Sequence, residues 1–358
     1  FSYVTLRSLS LVQRCCSLST SSKSKKEEII FTGIQPTGGI HLGNFIGAIQ
    51  PFLRLQHRDP SKQHFFSIVD LHSLTTHQLL SGGQTVRETV REMFSVLMAC
   101  GVEPKNTSVF VQSLVPQHAE LTWILSCMTA SSQLDSMIQW KEKRRAGASA
   151  NLGLYAYPIL MAADILLYKA THVPVGEDQT QHLELTKRIA TTFNRNYQCE
   201  FFPIPQQIVN PHQARVMSLK DATKKMSKSD ASDSSRINMT DTPEQIVRKI
   251  KRAKSDALGP FYHETLKDRP ELENLIKIYA CLANVETQHV CKQFEQAGFG
   301  ALKIALADLL IETLTPIQKK FFRLMDQDVN EIDRQLEQSS KKAQQVANAN
   351  FNALKNLI

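Results

Sequence analysis

One stretch constrains this chain more than any other: a strand that runs through glycines into a helix. Glu28 to Thr32 reads as a short buried strand, and Gly33-Ile34-Gln35-Pro36-Thr37-Gly38-Gly39 as a glycine-rich turn. From about Gly43 the apolar residues Phe45, Ile46, Ala48, Ile49, Phe52 and Leu53 recur at helical spacing. Further apolar strands are expected at Phe65–Val69, Thr107–Val111 and Val173–Val175, with a helix over Val86–Cys100. Strands alternating with helices predict an α/β fold, a Rossmann-like doubly wound parallel sheet covered on both faces. From about Thr242 the strand signal is nearly gone. Helices are expected from Pro243 to near Lys254, over Leu272–Ala283, Val285–Phe294, Gly300–Leu314 and Pro316–Met325, and from Ile332 to the end. The polar stretch Ser227–Asp241 holds the expected boundary, giving a sheet domain over 27–230 and a helical region over 231–358. The last helix is expected to pack back on the sheet domain.

The net charge of +8 suggests an anionic partner. Much of it comes from residues 1–26, which hold Arg7, Arg14, Lys23, Lys25 and Lys26 and no acid; without them 37 basic residues face 34 acidic ones. A basic, Ser-rich, acid-free leader has the composition of a mitochondrial transit segment, which implies the matrix. The seven cysteines are odd in number and form no C-x-x-C or Cys/His cluster, so neither a disulfide framework nor a zinc or iron–sulfur site is expected. No apolar run reaches the roughly 18 residues of a membrane helix, and no membrane partner is expected.

Two segments carry chemistry. In Pro36-Thr37-Gly38-Gly39-Ile40-His41-Leu42-Gly43-Asn44, free N–H groups at the helix start are expected to form an anion site. Gly43 would admit a nucleotide close to the backbone, and His41 and Asn44 lie one turn apart as phosphate donors. Almost two hundred residues later, Lys225-Met226-Ser227-Lys228-Ser229 sets two lysines at i and i+3 among small polar residues, which suits a loop closing over a polyphosphate. A third feature is a helix apolar all round. Pro158 is read as its start, and Ile159–Leu167 is interrupted only by Asp164, so that carboxylate is expected to be buried and to need a donor.

The histidine turn and the Lys-Met-Ser-Lys-Ser loop resemble class I aminoacyl-tRNA synthetases. Gly33–Gly38, Ser67–His72, Tyr157–Tyr168 and Val173–Gln179 are similar to the tryptophanyl-tRNA synthetases of that class, so the resemblance spans roughly residues 29 to 325. It implies ligation of L-tryptophan to mitochondrial tRNA(Trp) through an adenylate, with ATP and Mg2+ and no resident metal, in a homodimer. It places His41, Asn44, Lys225 and Lys228 at the catalytic phosphates. Further ATP contacts would come from Gln35, Pro36, Thr37, Leu42 and Gly43. Gly176, Glu177 and Asp178 would meet the ribose, Val216 the adenine, and Met226, Ser227 and Ser229 complete the loop. Lys143 would reach the pyrophosphate.

By the same resemblance Asp164 accepts the indole N–H. Met161, Phe31, His72, Val173, Val175 and Gln35 would form the rest of the tryptophan pocket. Phenylalanine would leave Asp164 unpaired, a mismatch worth several powers of ten. The helical region would read the anticodon. Arg248, Lys249, Lys251, Arg252 and Lys254 lie around one predicted helix as a solvated or RNA-binding set. The rivals are a tyrosyl-tRNA synthetase, a catalytically silent RNA-binding protein on this fold, and a cytidylyltransferase, which would leave the long helical region unexplained.

Overall fold

Five parallel strands form one sheet in the order β3-β2-β1-β4-β5. They are β1 (Ile29–Ile34), β2 (Gln63–Ile68), β3 (Thr107–Val111), β4 (His172–Pro174) and β5 (Gln206–Ile208). The computed structural model describes residues 28–36, 39–75, 85–104, 107–145, 151–176, 179–208, 215–228, 230–256, 260–326 and 329–358. The expected acid-free leader lies outside them. The strand order is that of a doubly wound fold, and the expected fold class holds. β5 carries no apolar alternation and was not anticipated: Gln206-Gln207-Ile208 is a strand because it pairs with β4.

After β1 the chain turns through α1 (Leu42–Asn44), a π-helical turn (Phe45–Ile49) and α2 (Gln50–Arg58). Next come α3 (Asp70–Ser73), α4 (Val86–Cys100), α5 (Gln117–Ser126), α6 (Ser131–Asp135), α7 (Ile138–Arg145), α8 (Leu152–Leu167) and α9 (Thr180–Asn196). The helical region follows as α10 (Pro243–Arg252), α11 (Pro270–Ala283), α12 (Thr287–Phe294), α13 (Gly298–Met325) and α14 (Val329–Lys355). Local signals set several ends. Thr85 and Glu88 cap α4 reciprocally, and its chain leaves through Gly101 at φ +101°. Thr242 and Gln245 do the same for α10, with Pro243 in the first turn.

Two prolines correct the sequence reading. Pro158 is inside α8, not at its start, and Pro316 is inside α13, which is one helix rather than two. A proline within a helix costs about 3 kcal/mol through its missing N–H and its clash with the carbonyl four residues back. In α8 the Asn151 side chain accepts the Leu154 N–H at 2.7 Å and starts the helix earlier. Burial of Leu154, Ile159, Ala162, Ile165 and Leu166 offsets the penalty.

The two faces of the sheet bury separate cores, one under α4, α10, α11 and α13, the other under α5, α8 and α9. Helix α14 belongs to both. Ile332 and Leu336 enter the first core, and Ala343, Ala347, Phe351 and Leu354 the second. The helix lies along β3, where the Val111 N–H points to Ser340 Oγ at 3.4 Å, and Asp333 pairs with Arg91 at 2.7 Å. The exposed rim of an edge strand is thus covered by helix.

Candidate active site

The order of the sheet reverses between β1 and β4, and a cleft of about 1100 Å³ opens beyond their carboxyl ends. Open α/β sheets bind ligands at such a switch point. Gln35, His41, Gly43 and Asn44 from the first turn line it, as do His72, Met161 and Asp164. Phe31, Val173, Val175 and Gly176 come from the strand ends, and Val216, Lys225, Met226 and Ser227 from the lysine loop. Fifteen of the sequence candidates, spread over almost two hundred residues, therefore share one cavity. Pro36 is buried outside its lining, and Leu42 points into the core, its N–H bound to Ile237 O at 2.8 Å. Thr37, Glu177, Asp178, Ser229 and the Lys143 side chain lie outside the described residues.

At the histidine turn the structure changes which groups are donors. The expected free N–H groups are taken. Gly43 N–H donates to His41 Nδ1 at 3.1 Å, Asn44 N–H to His41 O at 2.9 Å, and His41 N–H to Asn44 Oδ1 at 3.2 Å. Just before it, Gly39 N–H donates to Glu92 Oε1 at 3.0 Å. The turn spends its backbone donors on its own cap. What it offers the cleft is side-chain donors. Because Nδ1 of His41 accepts, the neutral ring carries its proton on Nε2. Because Asn44 Oδ1 accepts, its NH2 is left over. Burial pushes the His41 pKa down to about 4, helped by the charges of Arg236 and Lys225, so the ring is neutral at pH 7. Gly43 has a reason in the cap itself: a Cβ there would lie 3.0 Å from the His41 ring.

The lysine loop is anchored to the same turn. Met217 and Lys225 form an antiparallel bridge, Met226 N–H donates to Val216 O at 3.0 Å, and the Met226 side chain is buried. The Lys228 ammonium lies 3.4 Å from where a Cβ on Gly39 would sit, over the glycine turn at φ +51°. Gln50 Nε2 and Arg54 Nη2 both donate to Cys281 O, at 3.2 and 3.1 Å, which joins α2 behind the turn to α11.

At the other end of the cleft Asp164 is 2% exposed. Its Oδ1 accepts from Gln112 Nε2 at 2.7 Å and lies 2.6 Å from His118 Nδ1; its Oδ2 lies 2.9 Å from His72 Nε2. Burial alone would raise its pKa, but the bonds from His118 and His72 outweigh that and hold it well below the usual carboxylate range. The buried carboxylate predicted from α8 is present. The expectation that phenylalanine would leave it orphaned is not met, since the protein itself supplies three donors. What remains for a ring N–H is one charge-assisted hydrogen bond, worth about 1.5–3 kcal/mol or roughly 10- to 150-fold. Gln112 and His118 were not among the sequence candidates, because a lone Gln or His on a buried face carries no motif. Tyr157, which lines the cleft and bonds Gln139 Oε1 at 2.8 Å, was also missed.

The basic set on and just beyond α10 divides. Lys249 is buried between Asp241 and Asp233, 2.7 Å from each, and Lys254 pairs with Glu271 at 2.6 Å. Arg248, Lys251 and Arg252 are exposed. The correction concerns Lys249, which buttresses the core, since a buried ammonium needs its carboxylates. Among the described residues no group of His, Cys, Asp and Glu gathers as a metal site, and no helix is long and apolar enough to cross a membrane.

The family model for the tRNA synthetases class I (W and Y) matches residues 23–315. The chain belongs to that family. The tryptophan–tRNA ligase of Caulobacter vibrioides is 42% identical to this synthetase, over 92% of this chain and 94% of its own. The mitochondrial tryptophan–tRNA ligase of Dictyostelium discoideum is 39% identical, over 94% and 97%. Among solved structures, the tryptophanyl-tRNA synthetase of Campylobacter jejuni complexed with ADP and tryptophan superposes with a TM-score of 0.75 at 28% identity, over 92% of this chain and 98% of that one. The enzyme class expected from the sequence, a tryptophan–tRNA ligase, is the one these relatives carry.

Proposed function

We propose that this synthetase activates L-tryptophan with ATP and then joins it to mitochondrial tRNA(Trp), as a homodimer in the mitochondrial matrix. In the first step a tryptophan carboxylate oxygen attacks the α-phosphorus of ATP. The bond from that phosphorus to the bridging oxygen breaks, pyrophosphate leaves, and tryptophanyl-adenylate remains. In the second, a hydroxyl of the terminal tRNA ribose attacks the activated carbonyl and AMP leaves. No covalent bond to the protein is needed, so its work is positioning and charge stabilisation.

His41 Nε2–H and the Asn44 NH2 would meet the phosphate oxygens as charge develops. Lys225 and Lys228 would hold the departing pyrophosphate, with magnesium arriving as part of the ATP. Gln35 would bridge the two substrates, and Gly176, Glu177 and Asp178 would receive the ribose. Adenine would meet the Val216 backbone, whose carbonyl accepts one bond from Met226 N–H and has a second lone pair to offer. Tryptophan would lie against Phe31, Met161, Val173 and Val175 with its ring N–H toward Asp164. Residues 27–230 form the catalytic domain in this reading, and 231–358 the region that reads the anticodon.

One observation carries the reading most: His41, Asn44 and Lys225, which would face the phosphates, and the buried carboxylate of Asp164 line a single cleft. The acid-free leader and the Dictyostelium relative support the mitochondrial assignment. Exposed Trp123, Ile138 and Leu152 offer apolar surface for a second copy.

Tryptophan-dependent ATP–pyrophosphate exchange, followed by charging of mitochondrial tRNA(Trp), tests it. Lys228→Ala is expected to lower the exchange kcat at least about 100-fold while the tryptophan KM moves less than about 3-fold. Exchange supported by tyrosine and not tryptophan would overturn the specificity. An unchanged Lys228→Ala rate would overturn the role of the loop.

A further inference from the structure

Behind the cleft, Asp164 is held by a chain of side chains that do not line it. His118, in the first turn of α5, is fully buried and does not line the cleft. Its Nδ1 is 2.6 Å from Asp164 Oδ1 and its Nε2 is 3.0 Å from the Tyr168 hydroxyl. Burial, then the Asp164 charge, pushes the Tyr168 phenol far above its ordinary value, so it stays protonated and can donate. If Tyr168 donates to Nε2, that nitrogen accepts and the ring proton sits on Nδ1, where it is given to Asp164.

The chain is also mechanically fixed. The Tyr168 ring stacks on Phe65 at 4.5 Å and on Phe31 at 5.8 Å, and packs against Phe110 at 5.2 Å. Gln112, the other donor to Oδ1, is oriented by the Leu71 N–H, which its Oε1 accepts at 3.1 Å. Each carboxylate oxygen accepts two hydrogen bonds comfortably. Oδ1 is therefore full, with Gln112 and His118, while among the described residues Oδ2 has only His72. One acceptor position remains, on Oδ2, and Asp164 still lines the cleft.

We propose that His118, backed by Tyr168, is the positioning residue that fills Oδ1 and so leaves Asp164 one acceptor, fixed in place, for the ring N–H of the substrate. This rests on the proposed activation of tryptophan and adds to it the device that sets ring selectivity. Without His118, Oδ1 has a vacant acceptor and the carboxylate is held by Gln112 and His72 alone. A ring N–H then gains less over a ring that lacks one. His118 is not a catalytic residue, because it touches neither the substrate nor the phosphates.

The test is pyrophosphate exchange with tryptophan and with its benzothienyl isostere, in which sulfur replaces the ring N–H. In His118→Leu the tryptophan KM is expected to rise about 10- to 100-fold, with kcat and the ATP KM within about 3-fold. The preference for tryptophan over the isostere should fall about 10-fold. His118→Asn, whose amide N–H can replace Nδ1–H, should restore most of that preference. Tyr168→Phe keeps the ring and removes only the hydroxyl, and should lower the preference about 3-fold.

A folded His118→Leu enzyme with the wild-type preference overturns the proposal, even if all its rates fall together, since that pattern marks a merely structural role. If His118→Leu does not fold, Tyr168→Phe decides, and an unchanged preference there overturns it. A wild-type enzyme that exchanges with tyrosine instead of tryptophan defeats the underlying reading, and this is seen before any variant is compared.

Discussion

At the scale of single residues, the turn at His41 shows how a local cap becomes a chemical device. Two side chains and two backbone N–H groups satisfy one another, and the donors left over are aimed by that cap. The cost is a histidine held neutral in a buried, cationic setting, with a pKa of about 4 against an ordinary 6.5. The folded protein therefore binds this proton less readily than the unfolded chain. The associated stability is present above pH 6.5 and is lost as the pH falls through 6.5 toward 4. Between pH 7 and pH 5 the loss from this group is expected to be about 2 kcal/mol. Urea unfolding of wild type and His41→Asn at both pH values checks it. The same pH dependence in both would show that His41 is not the group responsible. In kinetics, wild-type exchange should show no acid limb near pH 6.5 from this ring.

At the scale of elements, the last helix is the one whose role the sequence describes least. Its apolar residues mark it as amphipathic, yet they serve two cores on opposite faces of the sheet. Phe351 and Leu354 sit against the sheet domain, while Ile332 and Leu336 join the helical region. Helix α14 thus works as a brace, and sheet and helical region should unfold as one unit. Phe351→Ala is expected to cost about 3–5 kcal/mol, with a single urea transition moved to lower concentration. An unmoved midpoint would mean the helix is not part of the sheet's covering layer. The two internal prolines belong to this scale as well. In each case the proline reads locally as a helix start, and burial along the whole helix outweighs the penalty of holding it in the interior.

At the scale of the whole molecule, charge divides into structural and available parts. Residues 1–26 supply five of the cations, and Lys249 and Lys254 are paired with carboxylates. Arg248, Lys251 and Arg252 are exposed on α10. If that face meets tRNA, the tRNA KM of charging should rise steeply with salt, while pyrophosphate exchange, which needs no tRNA, should barely respond. The double variant Arg248→Ala with Lys251→Ala should reduce the logarithmic salt slope by about 2 and leave exchange intact. An unaltered slope would place the tRNA on another face.

Much of this protein is legible in one dimension. Strand–turn–helix alternation determines the parallel sheet, because a parallel pair needs a crossover and the helices between the strands supply it. The histidine turn, the lysine loop and Asp164 stand out because each combines residue types that a plain turn, surface loop or apolar helix does not need. Only the tertiary structure decided how those groups are satisfied. It spent the turn's backbone N–H groups on a cap and committed Lys249 to a buried pair. It made a strand of Gln206–Ile208 by pairing, and it gave Asp164 three protein donors from distant segments. The reason is physical. Periodicity and composition record which residues must leave water, whereas the partner of a buried polar group is set by distance in space, and Gln112 and His118 are about fifty residues from the carboxylate they hold.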